Sequence, residues 1–180
     1  MSLKTIAVMT SGGDAPGMNA CVRAVVRTAL GHGLRVRGIR RAFQGLVQGE
    51  IADMGARDVV GGIIQRGGTI LQTARFPEFA DPRQQREGLR QLNSHGVDGL
   101  VVIGGDGSLH GALALHKLSF PVIGIPASID NDIEGTDMAL GVDTALNTII
   151  ENIDKLRDTA SSHQRAFIIE TMGRHSAIWR

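Results

Sequence analysis

The sequence predicts a doubly wound α/β domain, a mostly parallel sheet flanked by helices on both faces. Three observations carry this reading. Short β-branched apolar runs recur along the chain, as strands buried on both faces require. Several of these runs end in glycine-rich turns, and the segments after them place apolar residues at helical spacing. The order alternates strand and helix with no internal repeat, which is the order of right-handed βαβ units.

The 180 residues are 42% hydrophobic and 21% charged, the balance of one soluble globular domain with a real core. A net charge of +1 gives no reason to invoke nucleic acid or a membrane surface. The single cysteine, Cys21, excludes an internal disulfide and suits a reducing cytoplasm, with a small buried hydrophobe as its role. No run approaches the roughly 18 apolar residues of a membrane span. The 24 glycines fall at segment ends, where backbone-built binding loops are expected.

Leu3 to Thr10 is expected to be the first strand, and Ser11-Gly-Gly-Asp-Ala-Pro-Gly17 its glycine turn. Cys21, Val22, Val25, Val26 and Ala29 then define a helix over 18–30, ended by Gly31 and Gly33. Arg23 and Arg27 lie one turn apart on its other face, as a solvated face or as a pair able to grip a phosphate. A strand over 34–39, an irregular loop over 43–48 and a short helix from Arg57 through Ile64 follow. The loop from Arg66 to Arg75 delivers a guanidinium, a group suited to transferring phosphoryl oxygens. Asp81-Pro82 signals the start of a charged helix to about Ser94.

The stretch from Val101 through Gly104-Gly-Asp-Gly-Ser108 organises the rest. A buried strand over 97–103 runs into glycines that let the backbone approach a ligand, and Ser108 is expected to cap the helix over 108–118. Amides at that helix start favour phosphate oxygens. Asp106 would repel phosphates unless a divalent cation lay between, so it is expected to hold Mg²⁺, directly or through water. The bland alternative is an ordinary turn with Asp106 exposed. His95, His110 and His116 share no metal-ligand spacing. A further buried strand over 120–126 delivers Asp130 and Asp132 to the carboxyl end of the sheet, where open α/β sheets bind ligands. Their competing role is an Asx turn in an ordinary loop. An amphipathic helix from Val142 to about Thr159 and a strand from Arg165 to Thr171 end the pattern.

Thr10-Ser-Gly-Gly-Asp-Ala-Pro-Gly-Met-Asn19, Arg75-Phe-Pro77, Ile103-Gly-Gly-Asp-Gly-Ser108, Ser128-Ile-Asp-Asn-Asp132, Ser162-His-Gln-Arg165 and Met172-Gly-Arg174 together resemble the bacterial ATP-dependent 6-phosphofructokinase family in order and spacing, from about residue 4 to 176. The resemblance implies a cytoplasmic homotetramer that uses ATP and Mg²⁺ to phosphorylate the 1-hydroxyl of fructose 6-phosphate, a step of glycolysis, with effector sites such as one for ADP between subunits. It implies Asp130 as general base, with Ser128 at a position usually threonine and Arg174 completing the catalytic set. Gly13, Arg75, Phe76, Gly105, Asp106, Gly107 and Ser108 correspond to ATP contacts, Asp106 to the Mg²⁺ ligand, and Asp132 to a group holding the metal through water. Ser128, Ile129, Asp130, Arg165, Met172, Gly173 and Arg174 fall on the sugar side, and Arg23, Arg27, Arg57 and Arg157 on the effector site.

Two departures qualify the resemblance. Family members are much longer, so residues 1–180 are expected to be the nucleotide-binding domain, ending before or within the sugar-binding domain, as a fragment, a frameshifted product or a single-domain remnant. The end from Ala177 to Arg180 is unlike the family. The donor is expected to be ATP, because pyrophosphate-using relatives resemble this chain less at Gly107, where they carry an acidic residue, and at Ala127, where they carry lysine. Three readings stand: the kinase or its N-terminal part, a non-catalytic nucleotide-binding or regulatory remnant, and another Gly-Gly-Asp-Gly kinase such as the lipid and NAD kinases, which lack the Ser-Ile-Asp-Asn-Asp loop.

Overall fold

The computed structural model describes residues 3–173. Among the described residues five strands form one sheet in the order β3-β2-β1-β4-β5. β1 (Thr5–Ser11) lies at its centre, pairing in parallel with β2 (Arg35–Ile39) on one side and β4 (Gly99–Gly104) on the other. β5 (Val122–Pro126) extends the parallel set, and β3 (Ile51–Met54) closes the opposite edge antiparallel to β2. Every residue of β4 is buried, which accounts for a continuous apolar run in place of an alternating one.

The side chains of the central strands divide the core in two. Ala7, Met9, Leu100 and Val102 face Phe43 and Leu46 of α2 (Ala42–Gln48), Leu92 of α3 (Pro82–Ser94) and Leu115 of α4 (Asp106–Lys117). Val8, Val101 and Ile103 face Met18, Val22 and Val26 of α1 (Met18–Gly31). Helices therefore cover both faces, as expected of a doubly wound domain. At the base of the sheet the Asp98 carboxylate accepts backbone N–H bonds from Lys4 and Thr5, each 2.8 Å, tying the starts of β1 and β4. Those donors, Lys4 first, hold its carboxyl below the usual carboxylate range.

Asp81 caps α3, its carboxylate accepting from Arg83 N–H at 2.8 Å, with Pro82 at the first helical position as its signal required. Five expectations are corrected. The segment 43–48 is the helix α2, whose Phe43 and Leu46 are buried in the sheet's core. The helix expected from Arg57 to Ile64 is two 3₁₀ turns, Ala56–Val59 and Ile63–Gln65, separated where Gly61 and Gly62 adopt positive φ. β5 is an edge strand, not a buried one: its outer side has no neighbour among the described residues and Ile123 is 64% exposed. α5 (Val142–His163) runs one turn beyond Thr159, but only Val142 is buried, and Ile150 and Ile153 of its apolar side are exposed. Arg165 to Thr171 forms no strand among the described residues. The segment is exposed along its length and pairs with no described neighbour, and a lone extended segment has no ladder to stabilise it.

Candidate active site

The chain runs from β1 outward to β2 on one side and returns to β4 on the other, so the sheet's topological switch point lies between β1 and β4. Crevices at the carboxyl ends of strands form there. A cleft of about 900 Å³ occupies that position and is walled by the turns after β1, β4 and β5 together with the loop 74–77. The sequence-predicted Gly13, Arg75, Phe76, Gly105, Asp106, Gly107, Ser108, Ser128, Ile129, Asp130, Asp132 and Met172 all line it.

The turn after β4 is close-packed on one side and open on the other. A Cβ at Gly104 would fall 2.4 Å from Ser11 O and 2.7 Å from Ser108 Oγ. Only glycine fits where β4 lies in register beside Ser11 of β1 and against the Ser108 side chain. A Cβ at Gly107 or Gly13 would meet nothing within 4 Å, because both face the cleft. Gly105 is the cap residue of α4, so Ser108 is not the cap; it stands in the first turn with its side chain buried against Gly104 and Gly12. Asp106 opens the helix, its carboxylate exposed at the cleft and favourably placed by the helix dipole. His110, one turn on, has Nδ1 3.4 Å from that carboxylate and 3.1 Å from Asp106 O, an exposed histidine with its ring nitrogen partnered.

Arg75 reaches the cleft at the end of a loop fixed by buried polar side chains. Asn19 donates from Nδ2 to Arg66 O at 3.0 Å and accepts at Oδ1 from Ile70 N–H at 2.8 Å. Thr10, fully buried, shares a 2.7 Å bond with the Thr69 hydroxyl and contacts Gln72 O at 2.9 Å. Thr73 donates to Gly12 O at 2.6 Å, joining the arginine loop to the first glycine turn. These supports escaped the sequence reading, as did Asp14 and Phe43 in the cleft wall. Asn19 did carry a signal: with Val22 and Val26 it occupies the apolar face of α1, where a polar residue needs a partner.

The loop after β5 is bonded at both ends. Ala127 N–H donates to Gly104 O at 2.9 Å, Ser128 N–H to Leu140 O at 3.1 Å, and Leu140 N–H to Pro126 O at 3.0 Å. Asp130 N–H donates to Ser128 Oγ at 3.1 Å. That turn leaves Asp130 and Asp132 both on the cleft, two carboxylates beside open glycine amides and a guanidinium.

The residues expected on the sugar side are less assembled. Arg165 is exposed and, with Gly173, does not line the cleft, whereas Met172 does and is 81% exposed. Arg174 lies outside the described residues. A groove of about 480 Å³ opens off the cleft between α5 and residues 169–172, sharing Asp14, Ile129 and Met172 with it. Of the four arginines expected at an effector site, Arg23 lines a separate hollow of about 290 Å³ with residues 59–65 and donates from its guanidinium to Val59 O. Arg27 and Arg57 are exposed on α1 and on the 3₁₀ turn packed against it, and Arg157 is on the exposed side of α5.

Residues 5–179 match the family description Phosphofructokinase. An ATP-dependent 6-phosphofructokinase of Streptococcus pyogenes is 57% identical over 180 residues, covering 98% of this chain and 53% of that protein. The chain thus spans about half the length of the relatives it matches. Among solved structures, phosphofructokinase from Saccharomyces cerevisiae superposes with a TM-score of 0.89 at 43% identity, over 96% of this chain and 26% of that one. Pichia pastoris phosphofructokinase in the T-state gives 0.88 at 41% identity, over 97% of this chain and 20% of that one.

Proposed function

The chain belongs to the phosphofructokinase family, and from that premise we propose that it is the nucleotide-binding part of an ATP-dependent 6-phosphofructokinase. The reaction is transfer of the γ-phosphoryl of ATP to the 1-hydroxyl of fructose 6-phosphate. The observation that carries this reading is the convergence of three strand-end turns and the Arg75 loop on one cleft. Amides of the two glycine turns and the start of α4 cradle the phosphates, and the open space at Gly13 and Gly107 admits them. Arg75 balances charge on the transferring group. Asp130 takes the proton of the attacking hydroxyl as its oxygen bonds to the γ-phosphorus and the bond to the bridging oxygen breaks, releasing ADP.

The donor set fits Mg²⁺. No cluster of three or more ligating side chains among the described residues could cage a metal alone. Asp106, with Asp132 in the same cleft, fits a cation that takes one or two carboxylates and completes its sphere with phosphate oxygens and water. When bound, the ion would neutralise charge developing on the phosphates. ATP is favoured over pyrophosphate as donor because Gly107 leaves the cleft open where a side chain would intrude, and because the cleft wall carries the small Ala127 where pyrophosphate-using relatives carry lysine. Homotetramer assembly, an ADP effector acting through Arg23, Arg27, Arg57 and Arg157, and a cytoplasmic location complete the proposal. No helix among the described residues is long and apolar enough to cross a membrane.

The direct test is fructose 6-phosphate-dependent ADP release by a polypeptide that includes the sugar-binding half, with and without Asp130→Asn. Transfer that stops with the amide supports the reading. Turnover that survives it overturns Asp130 as the base.

A further inference from the structure

We infer that Asn131 is a positioning residue for phosphoryl transfer, holding Asp130 on the cleft through a side-chain clamp on the segment 137–139. The inference rests on the proposed role of Asp130. Asn131 adopts a left-handed backbone, φ 51°, the conformation that asparagine tolerates better than most residues with a Cβ. Its side chain turns away from the cleft and spans the loop: Oδ1 accepts from Ala139 N–H at 2.9 Å, and Nδ2 donates to Asp137 O at 3.1 Å.

The clamped segment is anchored. Ala139, Ile133 and Val142 form a small buried cluster, and Leu140 is hydrogen-bonded to both Pro126 and Ser128. Residues 128 and 131 are therefore both tied to 137–140, while Ile129 and Asp130 bow out between the two ties. Ser128 adds a bond from Asp130 N–H, and a long 3.5 Å contact reaches Asp132 Oδ1. A left-handed residue between two carboxylates turns the chain so that both can line one cleft, which an extended i, i+2 pair at the end of an unpaired loop would not hold. Without the clamp the backbone at 129–132 keeps one tie, and Asp130 loses its fixed aim. A misplacement of about 1 Å costs on the order of 10²-fold in rate.

The test uses the complete kinase chain with Asn131→Gly, Asn131→Ala and Asn131→Asp. Glycine keeps the left-handed backbone free of strain and removes the clamp. Alanine removes the clamp and adds strain, and aspartate keeps the acceptor for Ala139 N–H while losing the donor to Asp137 O. The expected result is a kcat lowered about 10–100-fold in the glycine and alanine variants, with MgATP affinity within about threefold of the parent. Aspartate should recover part of that loss. A glycine variant with the parent's kcat overturns the inference, as does a loss that appears equally in MgATP affinity. Asp130→Asn, run alongside, separates the two claims. If it keeps full rate, the base assignment is wrong; if it is inactive while the glycine variant is unimpaired, only the clamp is wrong.

Discussion

Adding one methyl group to Gly104 and one to Gly107 should give opposite outcomes, though the residues are three apart in one turn. At Gly104 the new Cβ falls 2.4 Å from Ser11 O, 2.7 Å from Ser108 Oγ and 2.8 Å from Ser108 Cβ. The first of these is strand backbone in register with Gly104 itself, so relief requires β1 and β4 to part. Overpacking of this kind costs about 1–3 kcal/mol, and a domain of this size loses about 2–4 °C per kcal/mol. Gly104→Ala should therefore melt about 2–12 °C lower. Gly107 has ordinary backbone in the first turn of α4, and its Cβ meets nothing within 4 Å. Gly107→Ala should melt no lower than the parent, with a gain of up to about 1 kcal/mol from helix propensity. Its methyl would instead enter the space assigned to phosphates and weaken MgATP binding by about tenfold or more, the equivalent of 1.4 kcal/mol. Differential scanning calorimetry and isothermal titration on the same two variants provide both readings. Equal melting losses, or unchanged MgATP affinity in Gly107→Ala, would refute the division of the turn into a packed side and a ligand side.

Asp130→Asn should leave nucleotide binding nearly intact while lowering the chemical step about 10²–10⁴-fold, measured as single-turnover transfer in the complete kinase. An unchanged rate would make Asp130 structural. The Asp98 carboxyl is held low in the folded state, so its stabilisation is present above the ordinary carboxylate value of 3.8 and fades as pH falls through the lower folded value. Asp98→Asn should lower stability near pH 7 and remove that part of the acid loss. Urea titrations at pH 7 and pH 3 check it, and parallel acid profiles for the two proteins would contradict it. The 180 residues by themselves should show little or no fructose 6-phosphate kinase activity and should self-associate, because Arg165 does not reach the cleft and Ile123, Ile150 and Ile168 are exposed. Gel filtration beside a coupled ADP assay tests both, and turnover at 1–10³ s⁻¹ from a monomer would refute them.

The strand-turn-helix units were legible because each is local. β-branched runs, glycines at strand ends and the caps of α1 and α3 all act within a few residues. The meeting of Asp106 and Asp130 was legible too, since strand ends in a parallel sheet share one edge. α2 was missed because Gly45 and its glutamines resemble a loop. That glycine stands where a Cβ would fall 1.7 Å from Arg40 O, so packing and not helix propensity chose it. β3 has only four residues, and what fixes it is register against β2, a non-local fact. Arg165 to Thr171 carries a strand's composition, but a strand exists only with a neighbour, and none pairs with it among the described residues. The supports at Thr10, Asn19 and Thr73 bond to carbonyls and hydroxyls roughly 50 to 60 residues away, partners that no local pattern reveals.

The cleft at the ends of β1, β4 and β5 is proposed to take a nucleotide together with its metal ion. Isothermal titration of the 180-residue chain with MgATP, magnesium pyrophosphate and metal-free ATP tests it most directly, with Asp106→Ala beside the parent. The expected result is weak but measurable MgATP binding that exceeds pyrophosphate binding, depends on Mg²⁺, and loses that dependence in Asp106→Ala. Tighter binding of pyrophosphate, or MgATP affinity indifferent to Asp106→Ala, would contradict it.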